Sequence, residues 1–174
     1  MRGSMSFVSR IFSSFCNKFI FKEPVKIKGL LKIKIHDAIT GEIIQEIQQN
    51  NLVVTIGRNL LRDFMRGTVT VGIQQFAIGT NSTAVTISDS QLGTEVFRSG
   101  TITYTASAET LQVEMYVTSA QANGSTIVEA GLFCDSTATS TVNTGKLYSR
   151  AVHSSIVKTS SIAITYVWVL TWTQ

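Results

Sequence analysis

Residues 161–172, SIAITYVWVLTW, decide the fold, because their side chains alternate without interruption. Ile162, Ile164, Tyr166, Trp168, Leu170 and Trp172 point one way, and Ala163, Thr165, Val167, Val169 and Thr171 point the other. A period of two over this length is a β-strand. Both faces are fairly apolar, which puts the strand centrally in a sheet or under cover on both sides.

The chain leading to it has the same character. Serine and threonine supply 34 of the 108 residues from 67 to 174, and β-branched residues recur in short alternating runs between Gly, Asn and Ser clusters. Such runs predict strands near 74–78, 96–105, 111–118, 127–134 and 146–153. Strands of this number and spacing predict a mainly β domain over residues 25–174, an antiparallel, jelly-roll-like β-sandwich.

Toward the N-terminus, Lys26, Lys28, Lys32 and Lys34 alternate with Ile27, Leu31, Ile33 and Ile35, giving a strand with an apolar face and a lysine face. The lysines read as a solvated face or a blunted sheet edge. His36 to Gly41 supplies turn chemistry, and residues 42–48 return as a second strand. Thr55 or Gly57 starts one short helix that ends at Gly67, with Leu60, Leu61, Phe64 and Met65 on one face as a plug for one end of the sheet core.

Before Pro24 the period changes to that of a helix. Val8, Ile11, Phe12, Phe15 and Phe19 form one apolar stripe, opposite Ser9, Arg10, Ser13, Asn17 and Lys18. Residues 1–24 therefore read as an amphipathic N-terminal arm, with Met1–Ser4 resembling an expression leader ahead of Met5. Charge within the apolar region argues against a secretory signal, and contact with another protein chain is favoured over a membrane surface.

Composition narrows the chemistry. With 44% apolar and 15% charged residues, the chain of 174 residues can bury a core. It has two histidines and two cysteines, Cys16 and Cys134, whose spacing fits no metal site. Two free thiols suit a reducing compartment. Charge is uneven: residues 1–66 hold eleven Lys/Arg against five Asp/Glu, and residues 67–174 hold four against six. A basic front suits a contact arm better than a nucleic-acid-binding fold, since no aromatics interleave with the lysines.

No phosphate loop, dinucleotide fingerprint, HExxH or GxSxG motif occurs. Cys134-Asp135 with His153 could supply a thiol, a base and an orienting acid only if folding brought them together. Glu114 and Glu129 are a conceivable carboxylate pair, but read better as solvent-facing groups or caps on a neighbour's backbone. The expectation is no catalytic, cofactor-binding or metal site, no cofactor and no small-molecule substrate.

Several segments carry a resemblance in order. They are Asn51-Leu52-Val53-Val54-Thr55 with Gly57-Arg58 and Leu60-Leu61-Arg62-Asp63, then Phe76-Ala77-Ile78-Gly79-Thr80, then Asp89-Ser90, Leu92-Gly93 and Glu95-Val96-Phe97-Arg98. Ala122 to Ile127, Glu129-Ala130-Gly131-Leu132-Phe133, and Ile156 with Lys158-Thr159 before a Thr-Trp ending strand complete the set. Over roughly residues 28–174 the chain resembles a group of small tailed-bacteriophage virion proteins of tail, tail-fibre, baseplate or minor head type. The motifs look architectural. Gly57 lets a strand turn into a helix, Gly79 and Gly93 allow tight loops, Asn123-Gly124 is a hairpin-type turn, and Glu95–Arg98 and Glu129–Arg150 are possible ion pairs.

The resemblance implies a non-enzymatic virion protein, assembled in the host bacterial cytoplasm as a homo-oligomer, either a ring or a trimer. The N-terminal helix and lysine strand depart from the group's usual pattern, and the arm's own residues lead to the expectation that it contacts neighbouring tail, portal, neck or capsid proteins through Val8, Ile11, Phe12, Phe15, Phe19, Lys26, Lys28, Lys32 and Lys34. One alternative is a capsid decoration or head-fibre anchor protein. Another is a carbohydrate- or receptor-binding module using Tyr104, Tyr116 and Trp172. Membrane or nucleic-acid binding through Arg10, Lys18, Lys22 and the four strand lysines is the least favoured reading.

Overall fold

A computed structural model describes residues 26–173. The arm residues Val8, Ile11, Phe12, Phe15 and Phe19 lie outside them. The described chain forms two antiparallel five-stranded sheets packed face to face, with one short helix.

The first sheet uses β1 (Lys26–Asp37), β2 (Ile43–Asn50), β6 (Ile102–Ser107), β7 (Thr110–Val117) and β10 (Ile162–Thr173), in the order β2-β1-β10-β7-β6. The second uses β3 (Leu52–Val53), β4 (Ile73–Gly79), β5 (Glu95–Ser99), β8 (Thr126–Cys134) and β9 (Lys146–Val157), in the order β3-β9-β8-β4-β5. β10 is central, paired with β1 from Lys26↔Thr173 to Asp37↔Ile162 and with β7 from Ile164↔Val117 to Thr171↔Thr110. Four hairpins, β1–β2, β4–β5, β6–β7 and β8–β9, alternate between the two sheets, and β3 joins by pairing with β9 and β10 by pairing with β1 and β7.

The core lies between the sheets, where the apolar alternation predicts it. Leu31 and Ile33 of β1, Val113 and Met115 of β7, and Tyr166 and Trp168 of β10 face Phe76 of β4 and Ile127 and Leu132 of β8, all fully buried. Phe76 meets the Trp168 ring edge-on, with centroids 5.6 Å apart and planes at 69°. That geometry adds about 0.5–1.5 kcal/mol to the burial itself.

The β1–β2 turn is built by one side chain. Asp37 Oδ1 accepts the Ile39 and Thr40 amides at 2.9 and 2.8 Å, and Gly41 takes the left-handed conformation that closes it, φ +74°. These two bonds also hold the Asp37 carboxyl below its usual pKa.

Four sequence expectations need correction. The run 96–105 is two strands in different sheets, because the chain changes sheet at Gly100, tucked against the Gln75 side chain. Asn123-Gly124 does form a turn, with Gly124 at φ +82°, but it lies in the crossing from β7 to β8 and not in a hairpin. Gly57 sits inside helix α1 (Thr55–Met65), where a Cβ would come within 2.1 Å of the Tyr148 carbonyl oxygen; its use is close packing of helix on β9. Only Leu60 of the expected helix face is buried, while Phe64 and Met65 are largely exposed.

Candidate interaction surface

The outer faces of the two sheets differ, and the reason begins with two Glu–Arg pairs. Glu129 on β8 and Arg150 on β9 are both buried, joined by Arg150 Nε at 2.9 Å and Nη2 at 2.8 Å from Glu129 Oε2. Glu129 also accepts the backbone amides of Asn81, Gly93 and Thr94 at 3.1, 3.0 and 2.9 Å. Arg150 reaches Asp89 Oδ2 at 2.8 Å and the Thr83 carbonyl at 3.2 Å. Residues 80–94 are thus pinned over the outer face of the second sheet.

The second pair pins the neighbouring loop. Arg98 and Glu95 on β5 form a buried two-pronged ion pair, one prong Arg98 Nη2 to Glu95 Oε2 at 2.6 Å. Arg98 also donates to the Thr139 and Thr144 carbonyls at 3.1 and 2.9 Å, and Glu95 accepts the Asn143 amide at 3.2 Å. The guanidinium lies 4.6 Å from the centroid of the Phe133 ring, a favourable cation–π contact. Beneath these loops Ala77, Leu92, Phe133, Ala138 and Leu147 form a second small apolar core. The outer face of this sheet is therefore covered by its own chain.

The outer face of the first sheet carries no such cover among the described residues. Lys26, Lys28 and Lys32 are exposed and Lys34 is half-buried, all on the side of β1 away from the core. β1 is flanked by β2 and β10, so the lysines occupy a sheet face and not an edge. Register sets their neighbours: Lys34 faces Glu46 and Thr165, Lys32 faces Gln48 and Val167, and Lys28 faces Thr171. Across β10, Val167 and Thr165 face Glu114 and Tyr116. Among the described residues no carboxylate lies within 4.0 Å of any of the four lysines. The result is a row of lysines without ion pairs among the described residues beside a Thr/Val strip, flanked by Glu46 on one side and Glu114 on the other.

The remaining candidates separate. Cys134 and His153 stand well apart along the β8–β9 pair: Cys134 faces Lys146 at one end, while His153 lies past the middle of β9, next to Val152, which faces Glu129. Six strand residues part them, about 20 Å, so no thiol–imidazole relay forms. Burial, aided by nearby Asp135, pushes the Cys134 thiol up to about 12, far from a reactive thiolate. Asp135 is instead held low by the Lys146 ammonium 2.7 Å away. Glu114 and Glu129 lie in different sheets and cannot act as a pair. Tyr104 shares the register of core-facing Val113, whereas Tyr116 sits on the lysine face, so Tyr104, Tyr116 and Trp172 make no single stacking platform.

Two features were not legible in the sequence. Lys158, wholly buried, donates to Asn123 Oδ1 and the Thr159 carbonyl, both at 2.9 Å, and fastens the β7–β8 crossing; a lone lysine before a Thr-Ser run gives no hint of this. An open apolar cavity of about 210 Å³ lies between α1 and the end of the sandwich, lined by Leu60, Leu61, Phe64, Leu111, Tyr148 and Trp172 among others. Its parts come from segments far apart in sequence.

No protein family, curated protein or solved structure matches the chain.

Proposed function

We propose that the chain is a non-enzymatic structural protein of a bacteriophage virion, an oligomeric tail, baseplate or fibre component joined to its neighbours through the basic N-terminal arm and the lysine strand that continues it. The carrying observation is where the phage-like segments fall. Asp89, Gly93, Glu95, Arg98 and Glu129 of those segments, joined by Arg150 from outside them, meet in two buried ion-pair clusters whose partners are loop backbone. These residues do architectural work, closing one outer face of the sandwich. The other face keeps its lysine row and Thr/Val strip available for a neighbouring subunit.

In an oligomer, modest contacts of this size add up through multivalency. Removal of residues 1–24 tests the attachment. The shortened chain is expected to be lost from purified particles, read by quantitative mass spectrometry; incorporation at the normal copy number would refute attachment through the arm. A capsid decoration or head-fibre anchor would use the same arm and differs in copy number.

A further inference from the structure

We propose that in the free protein the apolar stripe of the N-terminal arm, centred on Phe15 and Phe19, docks in the cavity between α1 and the end of the sandwich of its own chain. The cavity is almost wholly apolar. Leu61 and the half-exposed Phe64 form its helix wall, and Leu111 and Trp172 its sheet wall. A cavity of ~150 Å³ lined by apolar side chains already takes up a benzene molecule. The ~210 Å³ here has room for one phenyl ring and part of a second.

Placement selects the occupant. β1 begins at Lys26, opposite Thr173, and the next pair is Ile27↔Trp172. The chain thus enters the sandwich one residue from a side chain that lines the cavity. Twenty-five residues precede that point, and Phe19 stands seven before Lys26. Seven extended residues reach about 25 Å, ample for a cavity that starts at the neighbouring strand. A short tether holds the stripe at millimolar effective concentration, on the order of what linked modules achieve. The chain's own arm therefore occupies the cavity ahead of any second copy at ordinary protein concentrations.

Docking of this kind keeps one of the two phenyl rings and part of the other out of water before assembly, and a partner must draw the arm out to use it. It concerns the free chain, so it stands or falls separately from the protein's location in a particle.

The test is Phe15→p-benzoylphenylalanine in the full chain, prepared as an equal mixture of ¹⁴N- and ¹⁵N-labelled protein and irradiated. Circular dichroism confirms that the sandwich is folded. The expected crosslinks join residue 15 to peptides spanning 60–73 or 170–173, with both peptides carrying the same isotope. Phe64→Glu, at an exposed position, is expected to reduce them at least fivefold. Crosslinks of mixed isotope would assign the cavity to a second copy and overturn docking in the same chain. Crosslinks confined to the lysine face, or none in a folded protein, would overturn it as well. As an independent readout, Phe15→Ser with Phe19→Ser is expected to red-shift the emission of Trp172; an unchanged spectrum would count against the docking.

Discussion

At the scale of single residues, burial decides which charges matter. Glu129 neutralises Arg150 and accepts three backbone amides, and both side chains are nearly inaccessible. Removing one partner of a buried pair leaves the other charge uncompensated, at a cost of about 3–5 kcal/mol. Glu129→Ala is therefore expected to lower the melting temperature by on the order of 10 °C in a domain of this size. Lys146–Asp135 has similar geometry but a half-exposed lysine, and Lys146→Ala should cost about 0–1 kcal/mol. Comparable losses at the two sites, measured by thermal unfolding, would contradict this ranking.

His153 gives the protein a pH dependence of known sign. Burial lowers its pKa below the ordinary 6.5, against a raising contribution from the bond to the Ser154 carbonyl and the charge of Glu129. The folded state thus holds the neutral ring, and the unfolded chain binds the extra proton. Stability from this group is complete above pH 6.5 and is lost as pH falls from there to the folded pKa. Asp89 and Asp135, both held below 3.8, act only in more acid solution. For Asp89, burial opposes the lowering and is outweighed by bonds to Thr86 and Arg150. The urea midpoint should fall between pH 7.5 and 5, and His153→Gln should flatten that slope. An unchanged slope would show that another group titrates.

At the scale of elements, the sequence speaks clearly where a strand has two unlike faces. β1 reads correctly because its lysines and isoleucines alternate, and β10 because twelve residues keep one period. The run 96–105 misleads because β-branched alternation continues across Ser99-Gly100, where the backbone leaves one sheet for the other. Nothing local records that step; it depends on which strands β5 and β6 find. The helix is legible, but not its use of Gly57, since Tyr148 lies 91 positions away. Gly57→Ala must push α1 off β9 and should cost about 1–3 kcal/mol. Lys28→Glu with Lys32→Glu, by contrast, replaces charges whose cross-strand partners are Thr171, Gln48 and Val167 and not carboxylates. The pair should change stability by about 0.5 kcal/mol or less per site while impairing assembly. Large unfolding would mean that the face is structural.

At the scale of the whole molecule, the asymmetry between the sheets carries the functional reading. The two ion pairs of the candidate site, Glu95–Arg98 and Glu129–Arg150, were legible as possibilities because the sequence offers each glutamate an arginine of opposite charge. Their consequence, loops 80–94 and 135–145 closed over one sheet, was not, because it needs the sheet order. The same order sets Glu114, Tyr116, Thr165 and Val167 on one face with the lysines. One face covered by its own loops and one that no described residue covers suit a subunit that packs in a single orientation against its neighbours.

The most direct measurement is cryo-electron microscopy of whole phage particles, locating this chain and counting its copies. The account predicts density in a ring of three-, six- or twelvefold symmetry on the tail axis, with the lysine face and the arm turned toward a neighbouring subunit. Copies spread over the capsid shell would contradict the tail assignment in favour of decoration, and absence from the particle would contradict the virion role itself.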